Sequence, residues 1–211
     1  FAARAICDGE KLPTPPWQLE VWWANAVRLG VEMGDAFGKG LLRARGASSI
    51  KAGETRLQVA AAGDPSTAAA ALGSALTGVP KLRELKISNV SRRALELRAT
   101  SGLLDLSGQG LGPAAAMYLA AAMGSFMSSS LTSIDLSAND LGDDGKRVIS
   151  EAIPSSALQS LKSDALDLRA NATSLDLSRK GLGAGDAALL AAALAKFMGS
   201  MTECNVRGNT L

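Results

Sequence analysis

The chain has 211 residues, with 22 Lys and Arg against 20 Asp and Glu, two cysteines and no histidine. At 47% hydrophobic and 20% charged it has the composition of a globular protein of one or two domains. The absence of histidine excludes Ser-His-Asp and Cys-His catalysis and imidazole zinc ligation. Cys7 and Cys204 alone give no disulfide framework, and a net charge of +2 is too small to argue for nucleic acid or an anionic membrane.

The chain opens at Phe1 rather than Met, which leads to the expectation of a processed product, with a lean to an organelle (plastid or mitochondrion) after removal of a targeting segment. Residues 1–52 read as an N-terminal module. Thr14-Pro15-Pro16 can start a helix, and Leu19, Trp22, Trp23, Ala26, Val27, Met33 and Phe37 recur at helical spacing before Gly38 and Gly40 end it. This amphipathic helix is expected to cap a stack of repeats, with Trp17, Trp22 and Trp23 available as a docking anchor. Residues 41–54 read as a basic linker.

Residues 53–211 carry the repeats. Leu57 and Val59 mark a first strand, Ala68 to Leu76 its helix, and Leu82, Leu85 and Ile87 the next strand. From Ala94 to Gly112 the sequence matches Ala165 to Gly183, 71 residues later, and the match continues to the end of the chain with a one-residue slip. Inside each copy, Leu131, Ile134, Leu136, Asn139 and Leu141 set a register that Met201, Cys204, Val206, Asn209 and Leu211 repeat. Ser101 to Leu111 and Ala172 to Leu182 follow it with Gln109 and Lys180 in the Asn place. Helical spacing follows each full copy except the last, as at Leu119 and Met123, Ile149 and Ile153, and Leu190 and Leu194. Near Leu158–Asn171 one repeat lacks its helix, and the matching segment near Val90–Thr100 is short as well.

These residues resemble leucine-rich repeat proteins, and Leu141-Gly-Asp-Asp-Gly145 opening a helix is similar to the ribonuclease-inhibitor-like subclass. The resemblance implies an α/β leucine-rich repeat solenoid of about six repeats, two of them short. Its short parallel strands would line a concave face, its helices a convex face, and the N-terminal helix would cap it. On the concave strands the exposed positions are Gln58, Lys86, Asp105, Asp135, Asp176 and Asn205. Asp105, Asp135 and Asp176 read either as an acidic stripe for a basic partner or as a preference of the repeat itself. Cys204 occupies an apolar register position and is expected to be buried.

The uncharged stretch from Pro113 to Met127 is about 22 Å as a helix, short of a bilayer core of about 30 Å, so the chain is not expected to span a membrane, although peripheral association stays open. Its outward residues, Ala114, Tyr118, Ala121 and Ser125, carry no charge, which suggests a docking face on another subunit with Tyr118 as anchor. Ser107-Gly-Gln-Gly-Leu-Gly112 has Pro113 where a dinucleotide fingerprint needs glycine, and Ser48-Ser-Ile-Lys51 lacks companion motifs. Asn89-Val-Ser91 and Asn171-Ala-Thr173 match the glycosylation sequon without a signal peptide to support it. No cofactor, metal, nucleic acid or small-molecule substrate is expected. The function expected is non-catalytic protein binding, as an accessory or scaffold subunit of a larger assembly. The alternatives are a regulatory adaptor using its concave face and, more remotely, an enzyme, for which no activated nucleophile is evident.

Overall fold

The computed structural model describes residues 55–210 except 62–63, 78, 80, 92 and 100–101. The expected N-terminal helix with Trp17, Trp22 and Trp23, Cys7 and the expected basic linker lie outside the described residues. The chain divides into two compact units at Ala99.

The first unit contains β1 (Arg56–Ala60), α1 (Pro65–Thr77), β2 (Glu84–Ser88) and β3 (Leu95–Arg98). Alternation turns Leu57, Val59, Leu85, Ile87, Leu95 and Leu97 inward, and all are buried with Leu72 and Leu76 of α1. Asp64 starts that helix: its Oδ2 accepts the Thr67 amide at 2.8 Å and the Ser66 hydroxyl at 2.6 Å. These bonds hold the Asp64 carboxyl below its ordinary range, the Ser66 bond most strongly. β1 and β2 are parallel, whereas β3 runs antiparallel to β2.

The second unit contains β4 (Leu103–Asp105), α2 (Pro113–Met123), β5 (Ser133–Asp135), α3 (Gly142–Ala152), a 3-10 turn (Ile153–Ser155), β6 (Ser160–Lys162), β7 (Asp167–Arg169), β8 (Ser174–Asp176), α4 (Ala184–Lys196) and β9 (Glu203–Asn205). One sheet has the order β4-β5-β6-β7, and β8 and β9 form another. The helices form a layer in which α3 packs against both α2 and α4. Gly145 permits the first approach, since a Cβ there would lie 3.0 Å from the Ala116 Cβ. Gly185 permits the second, where a Cβ would come within 2.7 Å of the Asp143 Cα. Lys146 of α3 ties the layer to Asp186 of α4, bonding Oδ2 at 2.9 Å, while Oδ1 faces the same ammonium at 2.9 Å through charge alone.

The expected leucine-rich repeat solenoid is not the architecture. The strands belong to three sheets, two of them mixed, rather than to one parallel array. The reason is connection length. A parallel neighbour needs a crossover of about a dozen residues or more. Residues 89–94 and 163–166 are too few, so β3 and β7 fold back antiparallel and end their sheets. Neither a single concave face nor a run of about six equivalent repeats survives this correction.

The duplication is visible in the elements. β8 begins 71 residues after β4, α4 begins 71 after α2, and β9 begins 70 after β5. Leu136 and Leu177 are both buried at 1% exposure. Asn139 Oδ1 accepts the Leu111 amide at 3.0 Å, and its Nδ2 donates to the Leu106 and Leu136 carbonyls at 2.8 and 3.0 Å. Asn209 does the same between Leu182, Leu177 and Val206. Each amide thus binds two neighbouring loops, which no apolar side chain can do.

Candidate functional site

The four-stranded sheet of the second unit builds an open surface hollow. Its middle row, Leu104, Ile134, Leu161 and Leu168, is paired across the strands and buried. The outward positions therefore form two flanking rows. One row is Leu103, Ser133, Ser160 and Arg169; the other is Asp105, Asp135, Lys162 and Asp167.

The acidic positions have a local task. Asp105 Oδ1 accepts the Ser107 amide at 2.9 Å and its hydroxyl at 2.7 Å. Asp135 holds Ser137 in the same way at 2.9 and 2.5 Å, and Asp176 accepts the Ser178 amide at 2.9 Å. An Asp two residues before the bend supplies a side-chain acceptor that turns the chain out of the strand. Each carboxylate stabilised by these N–H and O–H donors lies below its ordinary range.

Asp135 has one partner more. Lys162, its neighbour in the row, donates to Oδ2 at 2.8 Å, and with that bond as the largest cause its pKa drops to about 2. Lys162 is raised in turn, first by the Asp135 bond. Asp167 is gripped by Arg169 through two bonds of 2.9 Å, which lower the carboxyl and raise the guanidinium.

Leu103, Thr132, Ser133, Gln159, Ser160, Lys162, Asp167, Arg169 and their neighbours line an open hollow of about 550 Å³. Leu103 stands 60% exposed at its rim. Among the described residues the hydroxyls of Ser133 and Ser160 and the side-chain amides of Gln159 and Asn171 make no hydrogen bond, whereas Thr132 Oγ1 donates to the Gly102 carbonyl at 2.9 Å. The charges are satisfied within the sheet, and the neutral polar groups are left over.

The structure distributes the expected site residues unevenly. Asp105 and Asp135 share a row, but Asp176 belongs to the separate β8–β9 sheet beside Asn205, so no continuous acidic stripe forms. Tyr118 is not an exposed anchor: it is 2% exposed. Helix α2 is apolar almost all round, with Ala115, Ala116, Leu119, Ala122 and Met123 also buried, and such a helix is covered by its own fold. Ala121 and Ser125 are half-buried, and the Ser125 hydroxyl donates to the Ala121 carbonyl at 2.6 Å. Cys204 is exposed despite its apolar register, because no described strand covers the far side of β9.

Ser133, Ser160, Lys162, Asp167 and Arg169 were not singled out in the sequence. The signal that could have found them is the alternation of Ser160-Leu161-Lys162 and Asp167-Leu168-Arg169 around apolar centres, which puts the polar pairs on one face. Among the described residues, no three His, Cys, Asp or Glu side chains gather as a metal site, and no helix is long and apolar enough to cross a membrane. No family profile matches the chain, and no curated protein matches it in sequence.

Proposed function

We propose that the chain is a non-catalytic protein-binding module, and that its contact surface is the outward face of β4–β7. The observation that carries this reading is the hollow of about 550 Å³, in which hydroxyl and amide groups without a hydrogen bond among the described residues stand beside an exposed leucine. Neutral donors and acceptors next to apolar surface suit a polypeptide, which offers both backbone amides and apolar side chains. The charges support a stable accessory subunit over a transiently steered adaptor. A steered binder presents a field of one sign, whereas here Asp135 is paired with Lys162 and Asp167 with Arg169.

The test places Ser160→Arg and Leu103→Asp separately in the chain and follows its recovery in native assemblies by co-purification. Both positions face outward, so thermal unfolding should stay within about 1 kcal/mol of the parent. Lost assembly with unchanged unfolding supports the reading. Full recovery of both variants sinks it.

A further inference from the structure

Strand register gives the hollow over β4–β7 a fixed order of chemistry. Leu103, Ser133, Ser160 and Arg169 stand side by side in one outward row, one residue from each strand. The row is apolar at one end, neutral and hydrogen-bonding in the middle, and cationic at the other. Neighbouring strands lie about 4.8 Å apart, so the two ends of the row are about 14 Å from each other.

The middle of the row selects the conformation of what lies on it. The Ser133 and Ser160 hydroxyls make no hydrogen bond among the described residues and call for backbone amides or carbonyls. A helix has consumed those groups except at its ends, whereas an extended segment carries them free. Length gives the same answer. An extended chain advances about 3.4 Å per residue, so residues four apart span about 14 Å and point to the same side. Residues two apart reach only about 7 Å, and residues six apart overshoot at about 20 Å. On one face of a helix, residues seven or eleven apart span about 10 or 16 Å and miss the row at either end. In the extended segment the residue midway falls between the two serines. It has to be small for the backbone to come within hydrogen-bond distance of them.

The cationic end selects the charge. Asp167 takes the Nε and Nη2 of Arg169 at 2.9 Å each. The other side of the guanidinium, formed by Nη1 and the second N–H of Nη2, has no bond among the described residues, and the side chain is 63% exposed. Two parallel N–H groups in one plane match the two oxygens of a carboxylate. Asp167 opposes a second negative charge, but Lys162 stands directly across from it in the β6–β7 register. The ammonium has three donors and its Asp135 bond uses one, so another can turn to Asp167 as the guanidinium takes up the new charge.

We propose that the hollow binds an extended acidic segment of a partner protein, laid across the strands. An apolar residue of that segment rests on Leu103, a small residue lies over Ser133 and Ser160, and an Asp or Glu four positions from the first is held by Arg169. This rests on the reading of the hollow as the protein-binding face and adds the pattern that the face recognises, with Arg169 as its specificity-determining residue.

The test titrates the labelled full chain with blocked eleven-residue peptides and follows the NMR shifts of the β4–β7 amides. The parent peptide holds leucine, glycine and glutamate at its third, fifth and seventh positions in a serine–threonine background, and it is expected to bind. Glutamine in place of glutamate, or glutamate moved two positions toward or away from leucine, should weaken binding about tenfold or more. Arg169→Gln should remove the preference for glutamate over glutamine, with circular dichroism confirming that the variant stays folded. No binding of the parent peptide, indifference to charge or spacing, a preference kept by Arg169→Gln, or tighter binding in a helix-forming alanine background would overturn the proposal. Co-purification from native assemblies separates this from the wider reading. Assembly lost by Ser160→Arg and Leu103→Asp but kept by Arg169→Gln leaves the hollow as the contact face and sinks the acidic segment alone. Assembly kept by all three sinks both.

Discussion

Two hairpins, one in each unit, were built from nearly the same residues and satisfy their charges differently. In β2–β3, Lys86 faces Glu96 and Glu84 faces Arg98; in β6–β7, Lys162 faces Asp167 and Ser160 faces Arg169. Lys86 bonds its cross-strand acid, Glu96, at 2.7 Å. Lys162 instead turns to the strand on its other side and bonds Asp135 at 2.8 Å, leaving Asp167 to Arg169. The deciding residue is the neighbour in the parallel strand, Gln58 in one sheet and Asp135 in the other. One carboxylate against one amide redirects a whole row of ion pairs. A row of exposed charges is therefore set by the sheet as a unit, and the hairpin alone does not determine it.

The first way to break the comparison is to remove what the hairpins share. Leu85 and Leu161 are both fully buried at the centre of their hairpins, so Leu85→Ala and Leu161→Ala should each cost about 2–5 kcal/mol in urea unfolding. A loss below about 1 kcal/mol at either would mean that the cores are not equivalent. A smaller effect should come where the cores differ. Ser163 holds the position of Ile87, and its buried hydroxyl has no hydrogen-bond partner among the described residues. Ser163→Val removes that group and should raise stability by about 1 kcal/mol, seen as a later urea midpoint. A destabilised variant would show that the pocket at 163 is too tight for the side chain carried by the other hairpin.

Exchanging the deciding residue sharpens the comparison further. Asp135→Asn should cost about 1 kcal/mol or less, because the Lys162 ammonium is half exposed. Its informative readout is the NMR titration of Lys162, whose pKa should stay above its ordinary value as Asp167 takes over, while Gln58→Asp should let Glu96 climb back toward its ordinary value as Lys86 leaves it. An unmoved Glu96 would show that Lys86 keeps its cross-strand partner. The smallest effect is with pH. Asp135 falls from 3.8 to about 2 on folding, so its contribution is present above about 4 and is lost as pH falls through about 2. Acid unfolding followed by circular dichroism should therefore begin earlier for the parent than for Asp135→Asn, relative to each protein's stability at neutral pH.

Alternation of apolar residues located β1, β2, β5 and β9, and the 71-residue echo placed β8 and α4. The direction of β3 and β7 stayed hidden, because burying every second side chain looks the same in parallel and antiparallel strands. The missing helix at Leu158–Asn171 and the shortness of Val90–Thr100 were visible, and connection length was the physical clue to reversal. The uncharged face of α2 was readable as well, but an apolar helix says only that it is covered, not by what, and Tyr118 turned out to be covered within the fold. For the hollow, the Asp-x-Ser pairs at 105, 135 and 176 stand in the sequence, but there they read as an acidic stripe or a preference of the repeat, and their role as strand exits shows only in the hydrogen bonds. Which carboxylate would meet Lys162 depended on strands brought together only by folding.

The short connections also order events in time. Residues 163–166 join two strands that can find each other as a local hairpin, a process of about 1–10 μs. β4 and β5 must first close a loop that includes all of α2, and longer closure costs more chain entropy. Each reversed strand is then an early seed on which the slower parallel strands assemble: β3 for β2 and then β1, and β7 for β6, then β5, then β4. Pulsed hydrogen exchange during refolding should protect the amides of Leu97 and Leu168 before those of Leu57 and Leu104.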